Sequence, residues 1–480
     1  MGLNTFKSYF LYIDVRMMQS SRKHIRSKPF TKMVTIKASY TVLPNEPTPE
    51  GLLWLSDIDQ VARLRHTPTI YIFHAKHNHD TLIERMRNSL SKILVHYYPI
   101  AGRLRRIEGS GRLELDCNAK GVVLLEAEST KTLDDYGDFL RESIKDLVPT
   151  VDYTSPIEEL PSLLVQVTTF HGGKSFAIGV ALCHILCDGV GAIQFINSWA
   201  KLARGDTLEP HEMPFLDRTV LKFPHPLSPP RFDHLEFKPL PLILGRSDNT
   251  VEKNKKVDAT LLKLTPEQVG KLKKKANDDS TKEGSRPYSR FEAIAAHIWR
   301  CASKARKLDK NQPTLVRFNA DIRNRLIPPL PKNYFGNALS LTTASCHVGD
   351  VISNSLSYAA QKIREAIEVV TYEYIWSQID VIRGQEQLDN ARALFFGQNE
   401  GKDALFYGNP NLLITSWMSM PMHEADFGWG KPVYLGLGSV STQDRALIIQ
   451  SPDGDGSIIL SIHFQMEHMQ LFKKYFYEDM

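Results

Sequence analysis

A histidine and an aspartate separated by three residues, in His184-Ile185-Leu186-Cys187-Asp188-Gly189, follow directly on the apolar run Ser175-Phe176-Ala177-Ile178-Gly179-Val180-Ala181-Leu182-Cys183. That run reads as a buried strand. A histidine at its end is held rigidly while its ring reaches toward a cavity. An imidazole of ordinary pKa, about 6.5, accepts a proton at neutral pH. The chain holds no Gly-x-Ser-x-Gly elbow that would make a serine the nucleophile. The simplest chemistry is general-base activation of a substrate's own hydroxyl or amine. The same pattern also suits a hydrogen-bonded core histidine. Cys183, His184, Cys187 and Asp188 form a compact set of metal-ligand types, but no second Cys or His pair lies at zinc spacing, and no metal is expected. Cys183 and Cys187 read as core residues, since nothing nearby in sequence lowers a thiol pKa.

A second motif lies far downstream, Asp426-Phe427-Gly428-Trp429-Gly430-Lys431-Pro432. Two glycines around a tryptophan indicate a turn with close backbone packing. The pairing of HILCDG with DFGWG resembles the BAHD acyltransferases of plants. The segments Leu90 to Arg105, Arg290 to Arg306, Asn319 to Leu339 and Ile414 to Pro432 match that family in the same order, and the resemblance runs from Met33 to Met480.

The resemblance implies transfer of an acyl group from a coenzyme A thioester to a hydroxyl or amine. It implies an α/β fold of two chloramphenicol-acetyltransferase-like lobes of mixed sheet and helices, with a channel between them and His184 midway along it. His184 would deprotonate the acceptor, and its imidazolium could protonate the departing thiolate. Thr415 and Trp417 would line the acyl site, where an indole N–H suits a developing oxyanion. Asp188 would turn from the histidine to an arginine of Asp321-Ile322-Arg323-Asn324-Arg325, with Arg323 or Arg325 as partner. Asp426 is an active acid by family habit, although its Gly-Trp-Gly setting suits a structural loop better. Ser289 and Arg290 open a helix whose N-terminus could bind coenzyme A phosphate; Ser289-Arg290-Phe291-Glu292 also reads as a plain capping box. No resident cofactor is implied, because the thioester is a co-substrate.

For the acceptor, the chain looks closest to hydroxycinnamoyltransferases. Shikimate and quinate enzymes of that group carry one arginine upstream of Thr-Ser-Trp and another two residues beyond the tryptophan. Here the upstream stretch Gly401 to Phe406 has Lys402 but no arginine, and Ser419 stands at the second place. The pattern resembles spermidine hydroxycinnamoyltransferases. A polyamine needs acids, and Asp403 and Glu424 are the nearest candidates, with Thr67, Thr69 and Tyr71 also on the acceptor side. The alternative acceptor is shikimate, quinate or another alcohol.

Elements must position these groups. Ile36 to Val42 and Thr67 to Phe73 read as strands, and Asp80 to His96 has helical spacing. Leu163 to Phe170 and Ser175 to Cys183 form a hairpin pattern, and Ala192 to Leu202 is an amphipathic helix. Six prolines between Phe223 and Pro241, then charges from Asp248 to Lys256, read as a linker. Glu292 to Ala305 is a helix, Ala446 to Ile449 with Ser457 to Ile462 a hairpin, and a last helix begins near Met466. The expected organisation is a basic extension over 1–32, an N-terminal lobe over 33–222, a linker over 223–258 and a C-terminal lobe over 259–480. The extension carries seven Lys and Arg against Asp14 alone; it reads as a disordered or alternative start, or as a transit peptide.

A net charge of +5 over 480 residues gives no ground for nucleic-acid binding. Five cysteines, an odd number, argue against a disulfide framework and for a reducing, cytoplasmic location. No apolar run is long enough to span a bilayer. The partners expected are hydroxycinnamoyl-CoA and a small amine or alcohol, with the protein a monomer.

Overall fold

The computed structural model describes residues 33–75, 81–137, 144–222, 226–278, 286–385, 388, 392, 408–438 and 444–480. Residues 1–32, Lys402 and Asp403 lie outside these ranges. The run that ends at His184 is strand β8, Ser175–Cys183, and all nine of its residues are buried. It carries no polar/apolar alternation because it is flanked on both edges and covered on both faces.

Fifteen strands, numbered in chain order, are described. The first sheet runs β1 (Val34–Val42), β6 (Val122–Ser129), β7 (Leu163–Thr169), β8, β3 (His66–His74) and β13 (Tyr434–Leu437). β7 and β8 are antiparallel, whereas β6 and β7 are parallel, so the sheet is mixed. β13 comes from the far end of the chain. It pairs antiparallel with β3, Leu437 opposite Thr69, and closes the N-terminal sheet with a C-terminal strand. Helices α1 (Leu82–His96) and α2 (Gly189–Ala203) cover one face. The indole of Trp199 on α2 donates to Ser89 Oγ on α1 at 3.0 Å, which satisfies its one polar atom in the core.

The second sheet runs β11 (Leu339–His347), β10 (Pro313–Asp321), β12 (Leu412–Ser416), β14 (Arg445–Gln450), β15 (Ile458–Gln465) and β9 (Val257–Leu264). Its core is formed with α3 (Pro266–Asp278), α4 (Arg290–Arg306), α5 (Leu356–Glu368) and a last helix, Met466–Glu478. A small sheet orders β2 (Leu52–Trp54), β5 (Leu113–Asp116) and β4 (Arg103–Arg106).

The proline-rich stretch is not a loose connection where it is described. His234 and Glu236 are buried beneath the helix α6 (Tyr372–Arg383). The Glu236 carboxylate accepts from Tyr374 Oη at 2.7 Å, and His234 Nε2 meets Ser377 Oγ at 2.9 Å. Proline supplies extended backbone; these buried polar contacts fix where it lies.

Candidate active site

A cavity of about 510 Å³ is lined by residues of both large sheets. His184 lines it, directly after the last residue of β8. The backbone around it is fixed from the other lobe: Asn337 Nδ2 donates to the carbonyls of His184 at 2.9 Å and Ile185 at 3.1 Å. Burial lowers the His184 pKa, and the charges of Arg63 and Arg445 lower it further; a hydrogen bond with its own backbone and the Asp188 carboxylate oppose them. The imidazole is therefore neutral at neutral pH, the form that accepts a proton. Burial pushes the Cys183 thiol up to about 12 and Cys187 well above its ordinary value, so neither supplies a thiolate.

Asp188 caps α2, its Oδ1 accepting from Gly191 N at 3.1 Å. Arg323 takes both carboxylate oxygens at 2.9 Å, and Ala338 N adds a third donor at 3.0 Å. Arg325 goes elsewhere, to the carbonyls of Ile367 and Val370. Asp188 also lines the cavity, but its oxygens are engaged by this set.

Thr415 and Ser416 are the last two residues of β12, and Trp417 follows; all line the cavity. A Cβ on Gly189 would lie 3.4 Å from Trp417 Nε1 and 3.3 Å from Met420 Cε. Glycine there lets the indole N–H approach the first turn of α2. A donor and a helix N-terminus side by side favour negative charge on an oxygen placed between them.

Ser289 and Arg290 are exposed at the start of α4 and reach the cavity wall. Ser289 Oγ accepts from Glu292 N at 3.2 Å and Glu292 Oε2 accepts from Ser289 N at 2.5 Å, a complete capping box. Thr67, Thr69 and Tyr71 alternate along β3 and so share one face, which lines the cavity.

Arg323, Glu424 and Asp426, all singled out in the sequence, lie off the cavity wall. Glu424 is exposed. Asp426 Oδ1 accepts from Gly428 N at 2.7 Å and Gly430 N at 2.8 Å. Both glycines have positive φ, +99° and +92°, so the carboxylate holds a turn that other residues adopt at a cost. Phe427 and Trp429 then insert beside Trp199 and Phe176, at ring separations of 4.9 and 5.1 Å. The geometry of Asp426 is that of a loop brace.

Sequence reasoning missed Arg63 and Arg445, which both line the cavity. Arg445 is the first residue of β14, ahead of the apolar run Ala446 to Ile449, and a cation opening a buried strand was the available signal. Among the described residues, no three His, Cys, Asp or Glu side chains gather where they could hold a metal ion.

The model of the Transferase family matches residues 32–479. The hydroxycinnamoyl-CoA:piscidic acid hydroxycinnamoyltransferase of Actaea racemosa is 44% identical over 93% of this chain and 100% of its own length. The shikimate O-hydroxycinnamoyltransferase of Nicotiana tabacum is 37% identical over 93% and 99%. Among solved structures, vinorine synthase shares the fold, with a TM-score of 0.69 at 22% identity over 91% of this chain and 96% of that one. Two mixed-sheet lobes, a cavity reached by both and a matching sequence over nearly its whole described length lead to one assignment: the chain belongs to the Transferase family of BAHD acyltransferases.

Proposed function

We propose that the protein transfers a hydroxycinnamoyl group from its coenzyme A thioester to the hydroxyl or amine of a small acceptor that carries a carboxylate, with His184 as general base. The observation that carries this reading is the neutral, half-buried imidazole on the wall of a cavity that both lobes line. The acceptor heteroatom attacks the thioester carbonyl carbon while its proton passes to His184. The oxygen of the tetrahedral intermediate is negative and is met by the indole N–H of Trp417. Collapse breaks the C–S bond, and the imidazolium returns its proton to the thiolate. No acyl-enzyme is needed, and no resident cofactor enters.

Two observations support an acid as acceptor. The relatives named above act on piscidic acid and on shikimate. The cavity wall also carries Arg63 and Arg445 beside the base. The polyamine expected from the sequence would bring like charge to these two cations; Glu424, one of its supposed partners, is off the wall, and Asp403 lies outside the described residues. The test is a panel of shikimate, quinate, spermidine, putrescine and agmatine with one hydroxycinnamoyl thioester, followed by thiol release. An amine outrunning every acid removes the carboxylate acceptor and leaves acyl transfer standing.

No described helix is long and apolar enough to cross a membrane, and all five cysteines are free. We propose a monomer acting in the cytoplasm, to be checked by gel filtration and cell fractionation.

A further inference from the structure

His184, Ile185 and Leu186 form a turn directly after β8. Ile185 and Leu186 are fully buried, so the carbonyls of this turn need donors from the protein. Asn337 Nδ2 donates to the carbonyls of His184 and Ile185 at 2.9 and 3.1 Å. Arg218 Nη2 donates to that of Leu186 at 2.7 Å. Both donors are side chains from distant parts of the chain, and both are themselves held by one carboxylate.

That carboxylate is Asp59, in the one-turn helix Asp57–Gln60. Its Oδ1 accepts from Asn337 N at 2.9 Å and Asn337 Nδ2 at 2.8 Å. Its Oδ2 accepts from Ser56 N at 3.0 Å and Ser56 Oγ at 2.8 Å, and pairs with Arg218 Nη1 at 2.8 Å. Ser56 Oγ in turn accepts from Asp59 N at 3.1 Å, a capping box that locks the short helix. Four hydrogen bonds and an ion pair engage both oxygens, so this acid holds neighbours and does not move protons. The carboxylate also selects the orientation of the Asn337 amide. Nδ2, not Oδ1, must face Asp59, and the same nitrogen then faces the two carbonyls of the turn. The side chains of Asp59 and Arg218 are 0% and 1% exposed. Apolar residues in place of such a buried pair are often equally stable. Stability alone therefore does not call for the pair; what it supplies is two donors of fixed direction at the turn that carries the base.

We propose that Asp59 is the positioning residue of His184: through Asn337 and Arg218 it fixes the carbonyls of the turn, and with them the direction in which the imidazole meets the cavity. This rests on reading His184 as the general base. The far end of the turn is held separately, by Arg323 on Asp188. With both ends fixed, the ring has little freedom beyond its own side-chain rotation. Proton transfer needs a heavy-atom separation of about 2.6–3.2 Å. A misplacement of about 1 Å can cost roughly 100-fold in rate. A turn tied to one saturated carboxylate keeps the base inside that range.

The test uses the full chain with p-coumaroyl-CoA and whichever of shikimate, quinate, spermidine, putrescine and agmatine reacts fastest, well below the melting transition of each variant. Asp59→Asn sets the donor end of an amide against donors on one side. It should lower kcat roughly 10- to 100-fold with both KM values nearly unchanged. In a His184→Ala background the same change should cost nothing further in kcat, because the group being positioned is gone. A change that merely weakened the fold or the cavity would cost the same factor in both backgrounds. Asn337→Ala removes the link to the turn and leaves the Asp59–Arg218 pair in place. It should show the same kcat-only loss and the same dependence on His184, and it carries the test if Asp59→Asn fails to fold. An equal loss in both backgrounds, a loss confined to KM, or an unchanged kcat in the folded variant overturns the positioning role and leaves His184 as base. Near-normal turnover in His184→Ala alone overturns the general-base reading itself.

Discussion

Arg323 holds Asp188 through two parallel hydrogen bonds of 2.9 Å, and the two residues belong to different lobes. One follows the strand that delivers the base; the other follows β10 of the second sheet. The pair is buried, so it fixes the lobes at the point where the cavity forms.

Removing one partner leaves an uncompensated buried charge. Asp188→Ala should therefore cost about 3–5 kcal/mol of stability. Arg323→Ala should behave alike, and the double variant should cost less than the sum, because each single change already breaks the pair. Denaturant unfolding measures all three. A stable Asp188→Ala protein with lost chemistry would make the aspartate catalytic instead.

His184→Ala should reduce transfer by roughly 10²–10⁴-fold, the usual contribution of a general base. Its melting temperature should hold, because the ring faces the cavity and the surrounding backbone is pinned by Asn337. Near-normal turnover in a folded variant would sink the mechanism.

Asp426→Ala should act through the loop. Its Oδ1 satisfies two backbone N–H groups, and leaving these unpaired costs about 1–3 kcal/mol. Thiol release at saturating substrates should remain near normal below the melting transition. Full stability with abolished turnover would return Asp426 to the catalytic set.

The chemistry that was legible in the sequence was local. HILCDG marks a strand end, and DFGWG marks a turn, because glycine and apolar runs constrain backbone directly. The two-lobed fold followed from family resemblance and is what the strands build. That Arg63 and Arg445 share the site was not legible, although a cation opening a buried strand marks Arg445. Residue 63 lies just before β3, and residue 445 opens β14, so only sheet order brings them to the same cavity as His184. β13 was hidden for a similar reason. Four residues pair with β3 across most of the chain, and nothing in their own spacing names that partner. Asp426 drew attention as part of DFGWG and Glu424 by nearness in sequence to Trp417, yet neither lines the cavity, whose wall is last met in this stretch at Met422.

The acid limb of kcat/KM should lie below the ordinary histidine value. Burial, then Arg63 and Arg445, favours neutral His184, against Asp188 and the backbone bond. The base is active when neutral, so activity is lost as pH falls through its depressed pKa. With a hydroxy acid as acceptor the profile should level off above neutrality. An amine acceptor would instead keep gaining toward its own pKa, about 10.4 for a lysine-like amine. A limb at or above pH 6.5 in the free enzyme contradicts the electrostatic reading of the site.

Stability should also fall on mild acidification, and two histidines away from the chemistry contribute to it. Burial brings His66 and His297 down to about 4, each against one supporting carbonyl, Pro161 O and Phe476 O, at 2.8 Å. Both are neutral in the folded chain. The unfolded chain binds protons below about 6.5, so stability declines from there and stops declining near 4. At pH 5 each residue should remove about 2 kcal/mol. Glu292, which burial alone would raise, is held at about 2 by Arg364, Ser289 and Arg286, and contributes only below the ordinary carboxylate range. His297→Gln preserves a donor toward Phe476 O without a titrating ring, and should lose its share of the slope between pH 6.5 and 5. Denaturant unfolding at several pH values measures that slope; an identical slope in the variant would exclude His297 as a source.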